Sequence, residues 1–198
     1  MNVLLSTTYF GPIQWYQKLY RAEEVWIEQH ESFLKQTYRN RCIIATTQGI
    51  QALTVPVERS GSSLIKDIRI SDHGNWRHLH WNALQSAYGE SPFFEYYEDD
   101  LRPFFEKRWD YLLDFNEAIR EKMCELIDIQ PYVNLTNHFT VEAAGDFRSA
   151  IQPKHPAPDP DFEPRRYYQV YEAKHGFLPN LSIVDLLFNM GPEAIFYL

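Results

Sequence analysis

The sequence contains only two cysteines, Cys42 and Cys124, which stand far apart and outside any CxxC pair. Neither a disulfide framework nor a thiolate metal site is therefore expected, and a cytoplasmic location is predicted. No apolar run approaches the length of a membrane span, so none is predicted. The opening residues lack a basic region and have a short apolar run, which predicts a strand and not a signal peptide.

Positive charge is also scarce. Nineteen lysines and arginines stand against 27 acidic residues, and the formal net charge is −8. Affinity for nucleic acids comes largely from basic side chains that displace counterions from phosphates, so we expect no nucleic-acid partner. A local basic cluster can still bind a small anion, because net charge governs long-range steering and not one pocket.

Large apolar side chains, in contrast, are abundant. The 198 residues include 13 Tyr, 13 Phe and 5 Trp, enough to build a substantial core. The length suits a single domain over residues 1–198. Residues 152–166 carry five prolines and predict a surface loop or lid.

The order of apolar patterns predicts an α/β fold. A strand from Asn2, a helix from Ile13 to about Arg21 and a strand at Glu24 to Ile27 form a β-α-β opening. We predict three layers, with a mainly parallel sheet of about five strands, helices on both faces and an antiparallel hairpin excursion. That hairpin would pair residues 42–45 with 52–57. Further strands are predicted at 67–70 and 132–139, and further helices at 75–88, in short pieces within 92–105, at 110–127 and at 182–190.

Five blocks of sequence carry a resemblance to a known family. They are TTYFGPIQWYQKLYRAEEVWIE, ESFLKQTYRNRCII with LTVPV, NWRHLHWNALQSAYGESPFFEYY, LLDFNEAIREKM and GFLPNLSIVDLLFNMGPEA. In content and order they resemble the WbqC-like family, which is known mainly from gene clusters for O-antigen and other surface polysaccharides. The resemblance implies a group-transfer or ligation enzyme that acts on an activated sugar or acyl precursor.

Two further observations bear on that implication. The opening, with Arg21 to Val25 at its second strand, resembles nucleotidylyltransferases of the HxGH type, but Gln14, Trp15 and Tyr16 stand where the histidines would be. The resemblance therefore implies the topology and not the adenylyl-transfer chemistry. The sequence also has no nucleophile-base motif, Walker loop or metal set, and it indicates no particular cofactor. A non-catalytic binding or scaffold protein in the same pathway is the alternative.

A basic cluster precedes the third strand. If residues 39–43 are extended, Arg39 and Arg41 point to one face, and with Lys35 they form a clamp for phosphate or carboxylate. The alternative is an ion-pair network with Glu28, Glu31 or another acid. The expected ligand of the clamp is a small anionic or nucleotide-linked substrate.

Two other positions are candidates for acid/base chemistry. His80 lies on the apolar face of its helix, where it is either a general base or a hydrogen-bonded core residue. Asp185 shares a helix face with Asn189, and the alternative to catalysis is capping and packing. Thr8 and Gln14 follow the first strand, where open parallel sheets bind ligands. The candidate catalytic residues are thus His80 and Asp185, the candidate substrate- or anion-binding residues are Thr8, Gln14, Lys35, Arg39, Asn40, Arg41 and Asn189, and no metal site is predicted.

Overall fold

A computed structural model of the protein describes residues 1–58 and 61–198. Its strands are β1 (Asn2–Leu5), β2 (Glu24–Ile27), β3 (Arg41–Thr46), β4 (Gly49–Thr54), β5 (Val57–Glu58), β6 (Arg69–Ile70) and β7 (Val133–Leu135). Its α-helices are α1 (Ile13–Arg21), α2 (Trp76–Tyr88), α3 (Phe94–Leu101), α4 (Pro103–Glu106), α5 (Leu112–Ile127), α6 (Glu172–His175) and α7 (Ile183–Met190). Within these ranges, every helix is too short or too polar to cross a membrane.

The predicted β-α-β opening is confirmed, and the fold is a mixed α/β arrangement. Strand β2 lies between β1 and β7, and both pairings are parallel. The prediction of about five strands in this sheet was wrong, because the sheet has three strands in the part of the chain that is described. The remaining described strands pair locally, β3 with β4 and β5 with β6, so their backbone groups are bonded without joining the parallel sheet.

The antiparallel hairpin is confirmed, with boundaries that differ from the prediction. Arg41 pairs with Thr54 at one end and Thr46 pairs with Gly49 at the other. The turn has only two residues, so β4 begins at Gly49, whose φ of +111° is easily adopted by glycine. The strand stops at Thr54, shortly before Pro56, which has no N–H to donate.

The two faces of the parallel sheet have different surroundings. Val3 and Leu5 of β1 belong to the main hydrophobic core, which includes residues as distant as Leu198. Alternation along the strands turns Leu4 and Trp26 to the other face. There they line a cavity with residues of the segment 136–144 that follows β7. We had predicted helices on both faces, but a loop covers this part of the sheet.

Helix α7 closes the fold as predicted. Ser182 is its N-cap, because its Oγ accepts a hydrogen bond from the backbone N–H of Val184 at 3.3 Å. The same hydroxyl donates to the backbone oxygen of Phe10 at 2.7 Å. The cap therefore connects α7 to the loop after β1.

Candidate functional site

The basic cluster does not form one clamp. Residues 39 and 40 lie in a turn and β3 begins only at Arg41, so the alternation expected of a strand does not apply to Arg39. Its guanidinium turns into the interior, where Nε donates to Glu31 Oε1 at 2.8 Å and Nη2 donates to Ser6 Oγ at 3.0 Å. The side chains of Arg39 and Glu31 are 9% and 8% exposed. For Arg39 the geometry is therefore that of a buried ion pair.

Lys35, Asn40 and Arg41 instead line a separate cavity of about 630 Å³. Arg41 donates from Nε to Thr54 Oγ1 at 3.1 Å. Within residues 1–58 and 61–198, neither Lys35 nor Arg41 has a carboxylate within ion-pair distance. The cavity thus presents two cations without an ion-pair partner among the described residues, and the carboxylate of Glu58 belongs to the same lining.

The other walls of this cavity are mixed in character. Apolar side chains come from Phe33, Val55, Pro56, Val57 and Ile68, and polar ones from Gln36, Thr54, Glu58, Ser62 and Ser63. Asn40 is buried, and its Nδ2 donates to the backbone oxygen of Val55 at 2.8 Å. Its Oδ1 has no partner among the described atoms. A ligand here would meet positive charge, an apolar wall and several hydroxyl groups.

The proline-rich loop brings a third cation towards this cavity. Lys154 Nζ donates to Gln36 Oε1 at 2.7 Å, and Gln36 lines the cavity. The loop is held in place by Asp159, whose Oδ2 lies 2.7 Å from Lys18 Nζ in a buried ion pair. Sequence reasoning missed Lys154, because nothing local in a proline-rich segment indicates which part of the protein it will contact.

Gln14 belongs to this anchoring network. Its Nε2 donates to Asp159 Oδ2 at 2.9 Å, and its Oε1 accepts from Asn180 Nδ2 at 3.1 Å. These bonds hold the proline-rich loop and the segment before α7 against α1. Both ends of the side-chain amide are therefore engaged within the protein.

Thr8 lies at the carboxyl end of β1 together with Arg39. Both line a void of about 10 Å³, as does Arg148. Such a volume holds about one water molecule. Thr8 Oγ1 has no hydrogen-bond partner among the described atoms, and a Cβ placed on Gly11 would lie only 2.3 Å from it. The two predicted residues are thus brought together in a space closed to any larger ligand.

A second polar group lies at the carboxyl ends of the strands, and its glutamate, Glu28, was named from the sequence only as an alternative ion-pair partner of the arginines. Glu28 follows β2 and is fully buried, and Thr136 follows β7. Glu28 Oε1 accepts from Thr136 Oγ1 at 2.8 Å and from the N–H of His30 at 2.7 Å. Its Oε2 accepts from the N–H of Thr140 at 2.8 Å. A glutamate directly after a buried strand was the available signal, and here it ties the loop after β2 to the segment after β7.

His80 joins three elements of the core. Its Nε2 lies 3.1 Å from the backbone oxygen of Thr54, which can only accept, so Nε2 carries the proton. Nδ1 is then the acceptor for Tyr9 Oη at 2.8 Å. Burial lowers the pKa of His80 from 6.5 to about 4. Both ring nitrogens are thus occupied, and the ring is neutral at pH 7.

Asp185 is enclosed by donors. Its Oδ1 accepts from Tyr88 Oη at 2.7 Å, and its Oδ2 accepts from Tyr167 Oη at 2.6 Å and from Gln169 Nε2 at 3.2 Å. Burial raises the pKa of its carboxyl group, and the donors oppose that rise. Asn189 donates to the backbone oxygen of Asp185 at 2.8 Å and accepts from the N–H of Val170 at 3.2 Å. Asp185 and Asn189 therefore connect α7 to the segment that precedes α6.

This arrangement predicts a measurable contribution to stability from the tyrosine hydroxyl. Tyr167→Phe removes one hydrogen bond to a buried carboxylate, and we expect a loss of about 2 kcal/mol in the free energy of unfolding. Urea denaturation measures it. The control is Tyr168→Phe at the neighbouring position, which is 54% exposed and should change stability by less than about 0.5 kcal/mol. Equal effects of the two substitutions would contradict a special role for the Asp185 cluster.

No three side chains of His, Cys, Asp or Glu lie close enough to hold a metal ion in the part of the chain that is described. A sequence model of the WbqC-like protein family matches residues 7–152. The chain belongs to this family. The matched range includes every residue that lines the 630 Å³ cavity of this WbqC-like protein. Asp185 and Asn189 lie outside the matched range.

The chain is also similar to a mycobacterial protein over most of both lengths. The uncharacterized protein Rv1507c of Mycobacterium tuberculosis (strain ATCC 25618 / H37Rv) is 28% identical over 207 residues, which cover 89% of this WbqC-like chain and 88% of that protein. No solved structure matches the chain. The resemblance of its β-α-β opening to nucleotidylyltransferases therefore stays a prediction.

Proposed function

We propose that this WbqC-like protein is a group-transfer or ligation enzyme that binds an activated sugar or acyl precursor of surface polysaccharides through its anionic group. The observation that carries the proposal is the pair of cations, Lys35 and Arg41, that line one cavity and have no carboxylate within ion-pair distance among the described residues. The volume of about 630 Å³ falls within the range of small-molecule sites.

The chemistry of the cavity matches an activated precursor in two respects. Such precursors carry a phosphate or carboxylate, which a guanidinium binds through two parallel N–H groups and an ammonium binds as a point charge. Arg41 and Lys35 supply one of each. The apolar wall that includes Phe33 and Ile68 suits the uncharged part of the same molecule. Lys154, bonded to Gln36, adds positive charge near the cavity.

The alternative of a scaffold protein lacks the patch that would favour it. The alternative rests on the absence of catalytic motifs from the sequence, and a broad exposed aromatic surface, for example from Phe93, Phe94, Tyr96 and Tyr97, would favour it. Phe94 and Tyr97 are buried, and only Tyr96, at 71%, is largely exposed. A single exposed aromatic side chain is ordinary for a protein surface.

Ligand binding by the Arg41→Ala variant tests the proposal. Thermal shift with nucleotides, nucleotide-sugars and acyl or aminoacyl donors at millimolar concentration identifies a ligand, because binding to the folded state raises the melting temperature. We expect Arg41→Ala to lower the affinity for that ligand about tenfold or more, since one charge-assisted contact is lost. Its melting temperature without ligand should stay within a few degrees of the wild type.

The matched control is Arg166→Ala, which removes the same charge from an exposed arginine outside the cavity. Its affinity should equal that of the wild type. The proposal is wrong if no member of the panel raises the melting temperature, or if Arg41→Ala binds the ligand as tightly as the control does.

A further inference from the structure

A second cavity lies on the sheet face that points away from the hydrophobic core. It has a volume of about 290 Å³ and is lined by Leu4 of β1, Trp26 of β2 and residues of the segment 136–144. Leu4 and Trp26 are directly paired across the two strands. The cavity shares no residue with the one that contains Arg41.

Trp26 gives this cavity an aromatic wall. Its side chain is partly exposed and belongs neither to the core cluster nor to the residues packed against it. Most of the other tryptophans, namely Trp15, Trp76 and Trp81, are buried. A large aromatic ring outside the core, at a concave site, offers an apolar surface against which a ligand ring can pack.

The opposite side of the cavity is polar. Asn137 and His138 are exposed, and their side chains make no hydrogen bond within residues 1–58 and 61–198. The hydroxyl of Thr140 is also without a partner there, although its backbone N–H binds Glu28. No Lys, Arg, Asp or Glu belongs to the lining that the structure describes. The ligand that fits is neutral and rich in groups that both donate and accept hydrogen bonds.

The loop that bounds the cavity is held close to β1. The N–H of Leu4 donates to the backbone oxygen of Gly145 at 3.0 Å, and the N–H of Phe147 donates back to the oxygen of Leu4 at 3.0 Å. Gly145 has φ of +78°, and a Cβ there would lie 2.4 Å from the backbone oxygen of Asn2. The approach therefore requires glycine, and it holds this loop against β1.

We propose that this cavity binds one neutral monosaccharide ring, with a C–H face of the sugar on Trp26 and its hydroxyl groups on Asn137, His138 and Thr140. One aromatic wall and one polar wall match a pyranose, whose face is apolar and whose edge carries alternating hydroxyls. A volume near the lower end of small-molecule sites limits the occupant to about one ring. The proposal goes beyond the anion-binding cavity and does not depend on it.

Ligand-observed saturation-transfer NMR on the full-length protein tests the proposal. The probes are glucose, galactose, mannose and N-acetylglucosamine, with adenosine and uridine as planar-ring comparisons. At least one sugar should bind with a dissociation constant of about 1 mM, as expected for a ligand of this size. Trp26→Ala should weaken that binding at least about tenfold. The Arg41→Ala variant should bind the sugar with the affinity of the wild type. A failure of the sugar-binding proposal can then be distinguished from a failure of the anion-binding proposal.

A cavity-filling variant keeps the test decisive if Trp26→Ala does not fold. Ala144 is exposed at the cavity, so Ala144→Leu should preserve the melting temperature of the protein. It should abolish the saturation-transfer NMR signal of the sugar. Its matched control is Ala52→Leu, at an exposed position of β4 outside the cavity. The proposal is overturned if no sugar in the panel gives a saturation-transfer signal or if only the nucleosides give one. It is also overturned if Ala144→Leu binds the sugar as tightly as the control variant does.

Discussion

Replacing Arg39 by methionine should lower the free energy of unfolding by about 3 to 5 kcal/mol. The substitution keeps much of the apolar stem but leaves the carboxylate of Glu31 buried without its cation, and an unpaired buried charge is strongly destabilising. The ion pair is 2.8 Å long and both side chains are nearly inaccessible. Ser6 Oγ also loses the donor that lies 3.0 Å from it. Urea denaturation at pH 7 measures the change.

Two companion variants separate this effect from a general loss of charge. Arg41→Met removes the neighbouring arginine, which has no carboxylate partner in the described chain, and should change stability by less than about 1 kcal/mol. The double variant Arg39→Met/Glu31→Leu should recover much of the lost stability, because replacing both partners removes the unpaired charge. Similar losses from Arg39→Met and Arg41→Met would mean that the ion pair contributes little.

The contrast between these two arginines shows what sequence reasoning lacked. Side chains alternate between two faces only where the backbone is extended, and β3 begins only at Arg41. The rule therefore does not apply to Arg39. Gln36, with φ of +58°, belongs to a series of turns that leads into the strand. Charge and spacing left an anion clamp and an ion-pair network as alternatives, and only the path of the backbone places Arg39 in an ion pair and Arg41 on the cavity.

Local patterns predicted the elements better than their assembly. The helix from Ile13 to Arg21 and the hairpin of β3 and β4 depend on neighbouring residues, and both are present, although the second strand of the hairpin begins and ends earlier than predicted. The third strand of the parallel sheet is different, because β7 pairs with β2 across more than a hundred residues. No periodicity near Val133 indicates that partner.

The same reasoning applies to the candidate site. Lys35, Asn40 and Arg41 are close in sequence, and they line one cavity. Lys154 reaches that region only because Asp159 anchors the proline-rich loop on Lys18, a contact between distant parts of the chain. His80 and Asp185 have the residue types of catalysis, but the groups that occupy their polar atoms come from other elements. Tyr9 and Tyr167 are examples.

Acidification should destabilise the protein through His80. The pKa is about 4 in the folded protein against 6.5 for an unperturbed histidine, so the unfolded chain takes up the proton first as the pH falls. The contribution of His80 is therefore fully present above pH 6.5, declines between 6.5 and 4, and is lost below 4. A difference of this size corresponds to about 3 kcal/mol.

Other groups also titrate in this range, so the prediction concerns a difference between variants. His80→Gln removes the ionisation while leaving an amide that can donate and accept, and it should flatten the dependence of unfolding free energy on pH between 6.5 and 4. His78→Gln, an exposed position on the same helix, should keep the wild-type dependence. The measurement is a series of urea titrations at fixed ionic strength from pH 4 to pH 7.5. If His80→Gln and the wild type give parallel curves, the histidine is not held neutral between Tyr9 and Thr54, and its Nδ1 becomes available again as a candidate general base.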